Sequence, residues 1–195
     1  ATLAGAVQHD LVITEPGSPA VVIDNLEVAQ FVYLLMANAR IRDVVDTVTS
    51  KLVLLLGRFT DERKAVLDHL RGLARSAGLV PVLFDFEGPA ARNTTETVRL
   101  LAHLARFVIA DLTDGTSVPY ELANFIPHVR VPVVPIIAAG KSAFSMFHDL
   151  YVHDWLLPLM EYRDLDDVAG RVFPNAVAAA DVKLEQLRPG WSRPS

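Results

Sequence analysis

RFVIADLTDGTSVPYEL, residues 106–122, combines an apolar strand, a turn and the beginning of a helix in one short stretch. The apolar run ends at Asp111, turn-forming residues occupy 113–117, and the helix start carries Tyr120 and Glu121. In open α/β sheets, ligands bind at the carboxyl ends of the strands. We therefore expect the strand to deliver Asp111 to that edge. The next helix should return Glu121 there, as a carboxylate for chemistry on a sugar or a glycosidic bond.

The same alternation of strands and helices extends in both directions from this stretch. Apolar runs predict strands at 52–56, 80–86, 107–112, 131–139 and 155–160, and helical periodicity predicts helices at 61–76, 94–105, 118–128, 144–150 and 164–172. This order predicts an α/β fold with a doubly wound, mostly parallel sheet of four to five strands. Pro132 and Pro135 cannot donate to a ladder, so the strand at 131–139 is expected near an edge or irregular.

The two ends of the chain fall outside this alternation. Residues 1–50 read as a linker followed by a helical pair at 26–39 and 41–49, with Asp24 and Asn25 as the first cap. This pair is either a cap on the main domain, or an oligomerisation element or connector to an upstream domain. The main domain is expected at 51–173, where Pro174 ends its last helix, and a further helix and tail at 174–195.

Composition and charge exclude several classes of protein. Of the 195 residues, 51% are hydrophobic and the mean hydropathy is +0.31, which favours a compact domain over disorder. The net charge of −5 offers no attraction to nucleic acid or anionic membranes. The absence of cysteine excludes disulfides, thiolate metal sites and cysteine nucleophiles, and fits a reducing, cytoplasmic location. No apolar run reaches the roughly 18 residues of a membrane span.

The loop after the first strand contains a single glycine and matches neither a GxGxxG nor a Walker phosphate loop. Arg58 could still pair with a phosphate there, and Phe59 could stack on a base or a nicotinamide ring. The equally simple interpretation is a phenylalanine that plugs the loop and an arginine in solvent.

Acidic residues follow the next two strands. Asp85 could hold ribose hydroxyls, as acidic residues after a second strand do in nucleotide-binding sheets, while Thr94 or Thr95 caps the following helix. Asp111 could bind a ribose, orient a water, or bond the N–H groups of the following turn. Glu121 lies in the first turn of a helix, where the helix dipole stabilises an ionised carboxylate.

Other catalytic patterns are missing from the sequence. The histidines have no HxxxH or HxH spacing, so we predict no metal site; they are His9, His69, His103, His128, His148 and His153. The sequence also lacks the GxSxG motif of a nucleophile elbow.

The order of parts resembles that of bacterial Toll/interleukin receptor (TIR)-like domains and the related nucleoside deoxyribosyltransferase-like fold. The resemblance covers residues 51–171 and is carried by GRFTDERKAVLDHL, VPVLFDFE, TTETVRLLAHLARFVIADLTD and SVPYEL. In those groups, a segment of the DLTD…YEL type follows the third strand and holds a functional glutamate in the next helix. Glu121 is the matching position. The segment before residue 51 is similar to connectors in multidomain bacterial proteins, and the chain begins with alanine, so we expect a longer parent protein.

The resemblance implies cleavage of the N-glycosidic bond of NAD, with release of nicotinamide and with NAD as substrate rather than cofactor. It implies Glu121 as the catalytic carboxylate, and a substrate site lined by Arg58, Phe59, Asp85, Asp111 and Tyr120. It also implies homo-oligomers and a role as an anti-phage effector. Two alternatives remain open: a non-catalytic signalling or oligomerisation module, and an enzyme that transfers deoxyribosyl groups between bases.

Overall fold

A computed structural model describes residues 10–14, 20–85, 94–113, 118–143 and 145–187. For residues 61, 85, 94, 95, 118–121 and 145–146 it describes the backbone alone. The chain divides into two compact units, residues 1–47 and 48–195.

The first unit contains a small hairpin and a helix. Strands β1 (Leu11–Val12) and β2 (Val22–Ile23) pair antiparallel, and helix α1 (Leu26–Ala37) follows. Asn25 caps α1 as expected, because its side-chain oxygen accepts the Val28 N–H at 2.9 Å. Helix α2 (Ala39–Lys51) is next along the chain, so the expected helical pair is present.

The second unit is built on a parallel sheet of five strands in the order β4-β3-β5-β6-β7. The strands and helices are β3 (Leu52–Gly57), α3 (Asp61–Ser76), β4 (Val80–Asp85), α4 (Thr94–Leu104), β5 (Phe107–Asp111), α5 (Val118–Phe125), β6 (Val133–Ala138), β7 (Met160–Tyr162), α6 (Leu165–Asp167) and α7 (Phe173–Leu187). Numbered from β3, this is the flavodoxin-like order 2-1-3-4-5. The predicted α/β, doubly wound, parallel sheet is thus confirmed.

Helices cover both faces of the sheet, which explains the unbroken apolar strands. All six residues of β3 are buried. Val53 and Leu55 pack in the cluster that contains α3 and α7, whereas Leu54 and Leu56 pack in the cluster that contains α4 and α5. A fully buried side chain of this size stabilises a fold by about 1.5–3 kcal/mol, so this strand anchors both layers.

Strand β6 lies between β5 and β7. It is thus next to the edge strand β7, which agrees with the expected position near an edge. Along β6, successive residues direct their backbone N–H and carbonyl groups alternately towards β5 and towards β7. Val133 faces β7: its carbonyl accepts the Leu157 N–H at 2.8 Å, and its N–H donates to the Trp155 carbonyl at 2.9 Å. Pro135, two residues later, faces the same side as Val133. The neighbouring segment leaves the ladder there, between its bridge at Leu156 and the start of β7, so the missing N–H of Pro135 faces a gap.

The fifth strand and the last helix differ from expectation. Within the predicted strand at 155–160, Leu156 forms an isolated bridge to β6, and β7 begins only at Met160, the last of these residues. The helix does not break at Pro174, because a π-helical turn at Val168–Val172 joins α6 to α7. In this wide turn the Phe173 N–H reaches back to the Val168 carbonyl, which lets the chain accommodate the missing proline N–H.

Helix α7 packs against the sheet rather than forming a separate tail. Its buried residues are Phe173, Ala176, Ala180 and Leu184. Arg106, which precedes β5, donates from Nε and from one terminal nitrogen to Asp181 Oδ1 at 3.1 and 2.5 Å. The other terminal nitrogen of Arg106 donates to the Ser50 carbonyl at 3.2 Å. In the described part of the chain, no helix combines the length and apolarity that crossing a membrane requires.

Candidate functional site

The strand order itself marks a place for a ligand. After β3 the chain continues to β4, its neighbour on one side, whereas β5, its neighbour on the other side, continues to β6. The loops that follow β3 and β5 therefore run in opposite directions. Such a switch point leaves a crevice at the carboxyl ends of the two strands. Gly57 and Asp111 end these strands, and Ala138 ends the adjacent β6.

A polar cavity of about 210 Å³ opens at this edge, lined by Thr60, Glu62, Arg63, Thr113 and Lys141. The first three come from the start of α3, Thr113 follows β5, and Lys141 belongs to the turn after β6. That turn needs Gly140, whose φ of 79° is strained for other residues, and it closes with a bond from the Lys141 N–H to the Ala138 carbonyl. Three segments from adjacent strands thus contribute two cations, one carboxylate and two hydroxyls.

Beneath the cavity, a network of hydrogen bonds holds Asp111, which is 3% exposed. Its Oδ1 accepts the Thr113 N–H at 3.0 Å and the Thr113 hydroxyl at 2.5 Å. Its Oδ2 accepts the Tyr162 hydroxyl at 3.2 Å. Thr113 Oγ1 in turn accepts the Ala138 N–H at 2.9 Å. The network joins the ends of β5, β6 and β7.

Burial sets the protonation of this network. Burial raises the pKa of Asp111, while the hydrogen bonds from Thr113, the charge of Arg63 and the bond from Tyr162 oppose that rise. The pKa of Tyr162 is raised to about 12 by burial first and by the negative charge of Asp111 second. Tyr162 therefore stays protonated at neutral pH and acts as a donor.

Tyr162 also positions Arg63. One terminal nitrogen of Arg63 donates to the Tyr162 hydroxyl at 3.0 Å, and the other lies 3.6 Å from Glu62 Oε2. The Glu62 side chain is 88% exposed, so that ion pair contributes little. The Arg63 side chain is only 20% exposed, and its guanidinium is held at the cavity wall by the buried tyrosine.

The expected site residues after the first two strands are distributed along the same edge. Arg58 and Phe59 are half-buried in the loop after β3, and Phe59 packs against the cluster on the α3 side. Asp85 ends β4 directly opposite Gly57, while its side chain lies outside the described residues. Their roles towards a substrate stay predictions.

The described residues of the stretch at 106–122 have the expected backbone structure, a strand followed by the start of a helix. Asp111 lies at the carboxyl end of β5. Its Oδ1 accepts the Thr113 N–H and its Oδ2 accepts the Tyr162 hydroxyl, so it bonds an N–H group of the following turn, which is one of its expected roles. Tyr120 and Glu121 fall in the first turn of α5. Their side chains lie outside the described residues, so the catalytic role of Glu121 stays a prediction.

Sequence reasoning missed Arg63, Thr113, Lys141 and Tyr162. Thr113 carried a signal, since it lies two residues after Asp111 in the same loop, whereas Tyr162 joins Arg63 across 99 residues without any local pattern. Thr60 occupies the N-cap position of α3. Its backbone is extended as a cap requires, but among the described residues its side chain makes no capping bond and lines the cavity instead.

Other places offer less chemistry. A cavity of about 410 Å³ in the first unit is lined mainly by apolar side chains of β1 and α1. Among the described residues, no group of three or more histidine, aspartate or glutamate side chains is arranged to hold a metal ion.

Comparisons with known proteins add little. Neither a family signature nor a curated protein sequence matches the chain. Among solved structures, the chain is similar to a diflavin flavoprotein A3 (all3895) from Nostoc sp., with 10% identity and a TM-score of 0.47. The match covers 72% of this chain and 96% of that one. The description of the fold therefore rests on the strand order and register of this chain itself.

Proposed function

We propose that the α/β unit binds a nucleotide across the carboxyl edge of β3 and β5 and hydrolyses the N-glycosidic bond of NAD, with Glu121 as the catalytic carboxylate. The observation that supports this is the polar cavity at the switch point, where Arg63 and Lys141 stand beside two threonine hydroxyls. Open α/β sheets bind their ligands at this place.

The cavity suits the phosphate end of a dinucleotide. Arg63 and Lys141 supply positive charge, and the Thr60 hydroxyl lines the same space. The Thr113 hydroxyl, by contrast, is engaged by Asp111 and Ala138. The Glu62 carboxylate also lines the cavity, but its side chain is 88% exposed. Pockets for whole drug-sized ligands occupy roughly 300–1,000 Å³. A volume of about 210 Å³ therefore fits a phosphate group, with the remainder of the ligand lying along the edge of the sheet.

Glu121 serves the other end of the substrate. It lies in the first turn of α5, the helix that follows β5 and its loop, so its backbone is at the same edge of the sheet. The helix dipole favours its ionised form there. In the reaction, the bond from ribose C1′ to the pyridinium nitrogen breaks and nicotinamide leaves with the electron pair. The Glu121 carboxylate stabilises the positive charge that develops on the ribose. Water then adds to C1′ and releases a proton.

The test compares purified protein with its Glu121→Gln variant in an assay for nicotinamide release from NAD. We expect turnover by the original chain and a decrease in kcat of at least about 100-fold in the variant, as for loss of a transition-state charge partner. Glu96→Gln is the matched control, because Glu96 is exposed in the first turn of α4. Absence of release by the original chain at high concentration, or equal rates in Glu121→Gln, would contradict the proposal.

A second candidate, a signalling or oligomerisation module without turnover, is favoured by one observation. Helix α1 exposes large apolar side chains at Val28, Phe31, Tyr33, Leu34 and Met36. Contiguous apolar surface on a helix is typical of association sites. Sedimentation over a range of concentrations, combined with the nicotinamide-release assay, separates the two: the module assembles without releasing nicotinamide, and its assembly is indifferent to Glu121→Gln.

A further inference from the structure

A second cavity, of about 470 Å³, lies at the opposite edge of the sheet, lined by His103, His128, Arg130, Val131 and Leu187. His103 is in the last turn of α4, before β5, and His128 ends a 3₁₀ turn at Ile126–His128, before β6. Arg130 and Val131 lead directly into β6. Because the strands are parallel, residues that precede them lie at the amino edge, away from Thr113 and Lys141.

The polar side chains described at this cavity are all basic, although the chain carries a net charge of −5. His103, His128 and Arg130 are exposed, and within the described ranges none of them pairs with a carboxylate. The two histidines end helical segments, where a cation complements the helix dipole. Arg130 lies beyond any helix, so that explanation does not account for it.

An aromatic side chain holds Arg130 in place. The guanidinium carbon of Arg130 lies 6.0 Å from the ring centre of Trp155. The indole is itself fixed, since its Nε1 donates to the Ile126 carbonyl at 3.0 Å and the His153 ring stacks on it at 4.9 Å. A guanidinium that lies over a ring keeps its N–H edges available for an anion.

We propose that this cavity binds the phosphoryl group of a small phosphorylated ligand, at a site separate from the nucleotide crevice. Arg130 donates two N–H groups to two phosphoryl oxygens, and the imidazoles of His103 and His128 donate to the remaining ones. Val131 and Leu187 contact the apolar remainder of the ligand. Three donor side chains around one space match the oxygens of a phosphate better than the two of a carboxylate.

Trp155 provides the measurement. The chain has two tryptophans, so a Trp191→Phe background leaves Trp155 as the sole reporter beside Arg130. The protein is titrated with inorganic phosphate, phenyl phosphate and acetate at constant ionic strength, by fluorescence and by calorimetry. We expect saturable binding of phosphate, tighter binding of phenyl phosphate because of the apolar wall, and no saturation with acetate.

Variants then locate the binding. Arg130→Gln should weaken phosphate binding at least tenfold by calorimetry, whereas Arg75→Gln, which changes an exposed arginine at the end of α3, should not. Circular dichroism verifies that each variant is folded. The proposal is overturned if phosphate does not saturate the Trp155 fluorescence change, if acetate causes an equal change, or if that change survives Arg130→Gln. Loss in Arg63→Gln without loss in Arg130→Gln would place the phosphate in the nucleotide crevice and would also overturn it.

Discussion

The two ends of β5 carry buried polar groups of opposite kinds. Before the strand, Arg106 and Asp181 form an ion pair whose side chains are 5% and 15% exposed. After the strand, one buried carboxylate, Asp111, is shared among hydroxyls of Thr113 and Tyr162, and the network continues through Arg63 to a cavity. The first arrangement joins α7 to the sheet, whereas the second lies beneath a cavity lined by cations and hydroxyls that a ligand can enter.

This difference indicates that the Arg106–Asp181 pair before the strand serves stability, whereas the proposed nucleotide site depends on the network after it. Variants of the first group should change the free energy of unfolding without a specific effect on binding. Variants at the cavity should weaken binding with little change in the free energy of unfolding. Variants of the network beneath the cavity should change both the binding and the free energy of unfolding.

The largest expected effect comes from breaking the closed pair. Arg106→Met should lower the free energy of unfolding by about 3–5 kcal/mol, because it leaves Asp181 buried without its cation. Urea denaturation measures the loss. The double variant Arg106→Met, Asp181→Leu is the control, and it should recover most of the stability. If Arg106→Met is as stable as the original chain, the Arg106–Asp181 pair does not stabilise the fold.

Asp111→Asn should have a smaller effect that depends on pH. Burial raises the pKa of Asp111 in the folded protein. The contribution of Asp111 to the free energy of unfolding is therefore fully present below the ordinary pKa of aspartate, and it is lost as the pH rises through the pKa of the folded state. The variant should therefore be more destabilised, relative to the original chain, at about pH 3 than at neutral pH. Urea titrations at the two pH values test this, and a difference of the opposite sign would refute the assignment.

Tyr162→Phe keeps the buried ring and removes the hydroxyl that joins Asp111 to Arg63. We expect a loss of about 1–2 kcal/mol in the free energy of unfolding, typical of one removed hydrogen-bond partner. Binding of ADP-ribose should weaken several-fold, since Arg63 loses its anchor. Tyr151→Phe is the control, because its hydroxyl bonds the Leu159 N–H instead. Unchanged affinity in Tyr162→Phe would separate the network from the cavity.

Lys141→Gln should leave stability within about 0.5 kcal/mol, since the side chain is exposed. It should nevertheless weaken ADP-ribose binding about tenfold, because a charge-assisted bond to the phosphate is lost. Lys51→Gln, at another exposed lysine, provides the comparison. If both variants bind equally well, the cavity is not the phosphate site.

The sequence predicted what depends on local patterns. The apolar runs located β3 and β5, and the periodicity located α3 with the bounds that the structure shows. It could not predict the path of the chain around Pro135 and Pro174. At Pro135 the nitrogen faces a gap in the ladder to the edge strand, and at Pro174 a π-helical turn lets the helix continue.

The candidate site divides in the same way. Asp111 was identified because it follows an apolar run directly, and its position at the carboxyl edge agrees with that inference. Arg63 and Tyr162 were missed because their significance arises only when β7 brings residue 162 beside the start of α3. Contacts across 99 residues leave no periodic trace in a single sequence.

A crystal structure of the protein soaked with ADP-ribose tests the central claim most directly. We expect the diphosphate within hydrogen-bonding distance of Arg63 and Lys141, and a ribose beside the Glu121 carboxylate. A ligand bound elsewhere, with these cations untouched and Glu121 directed away from the sugar, would contradict the assignment of this edge as the active site.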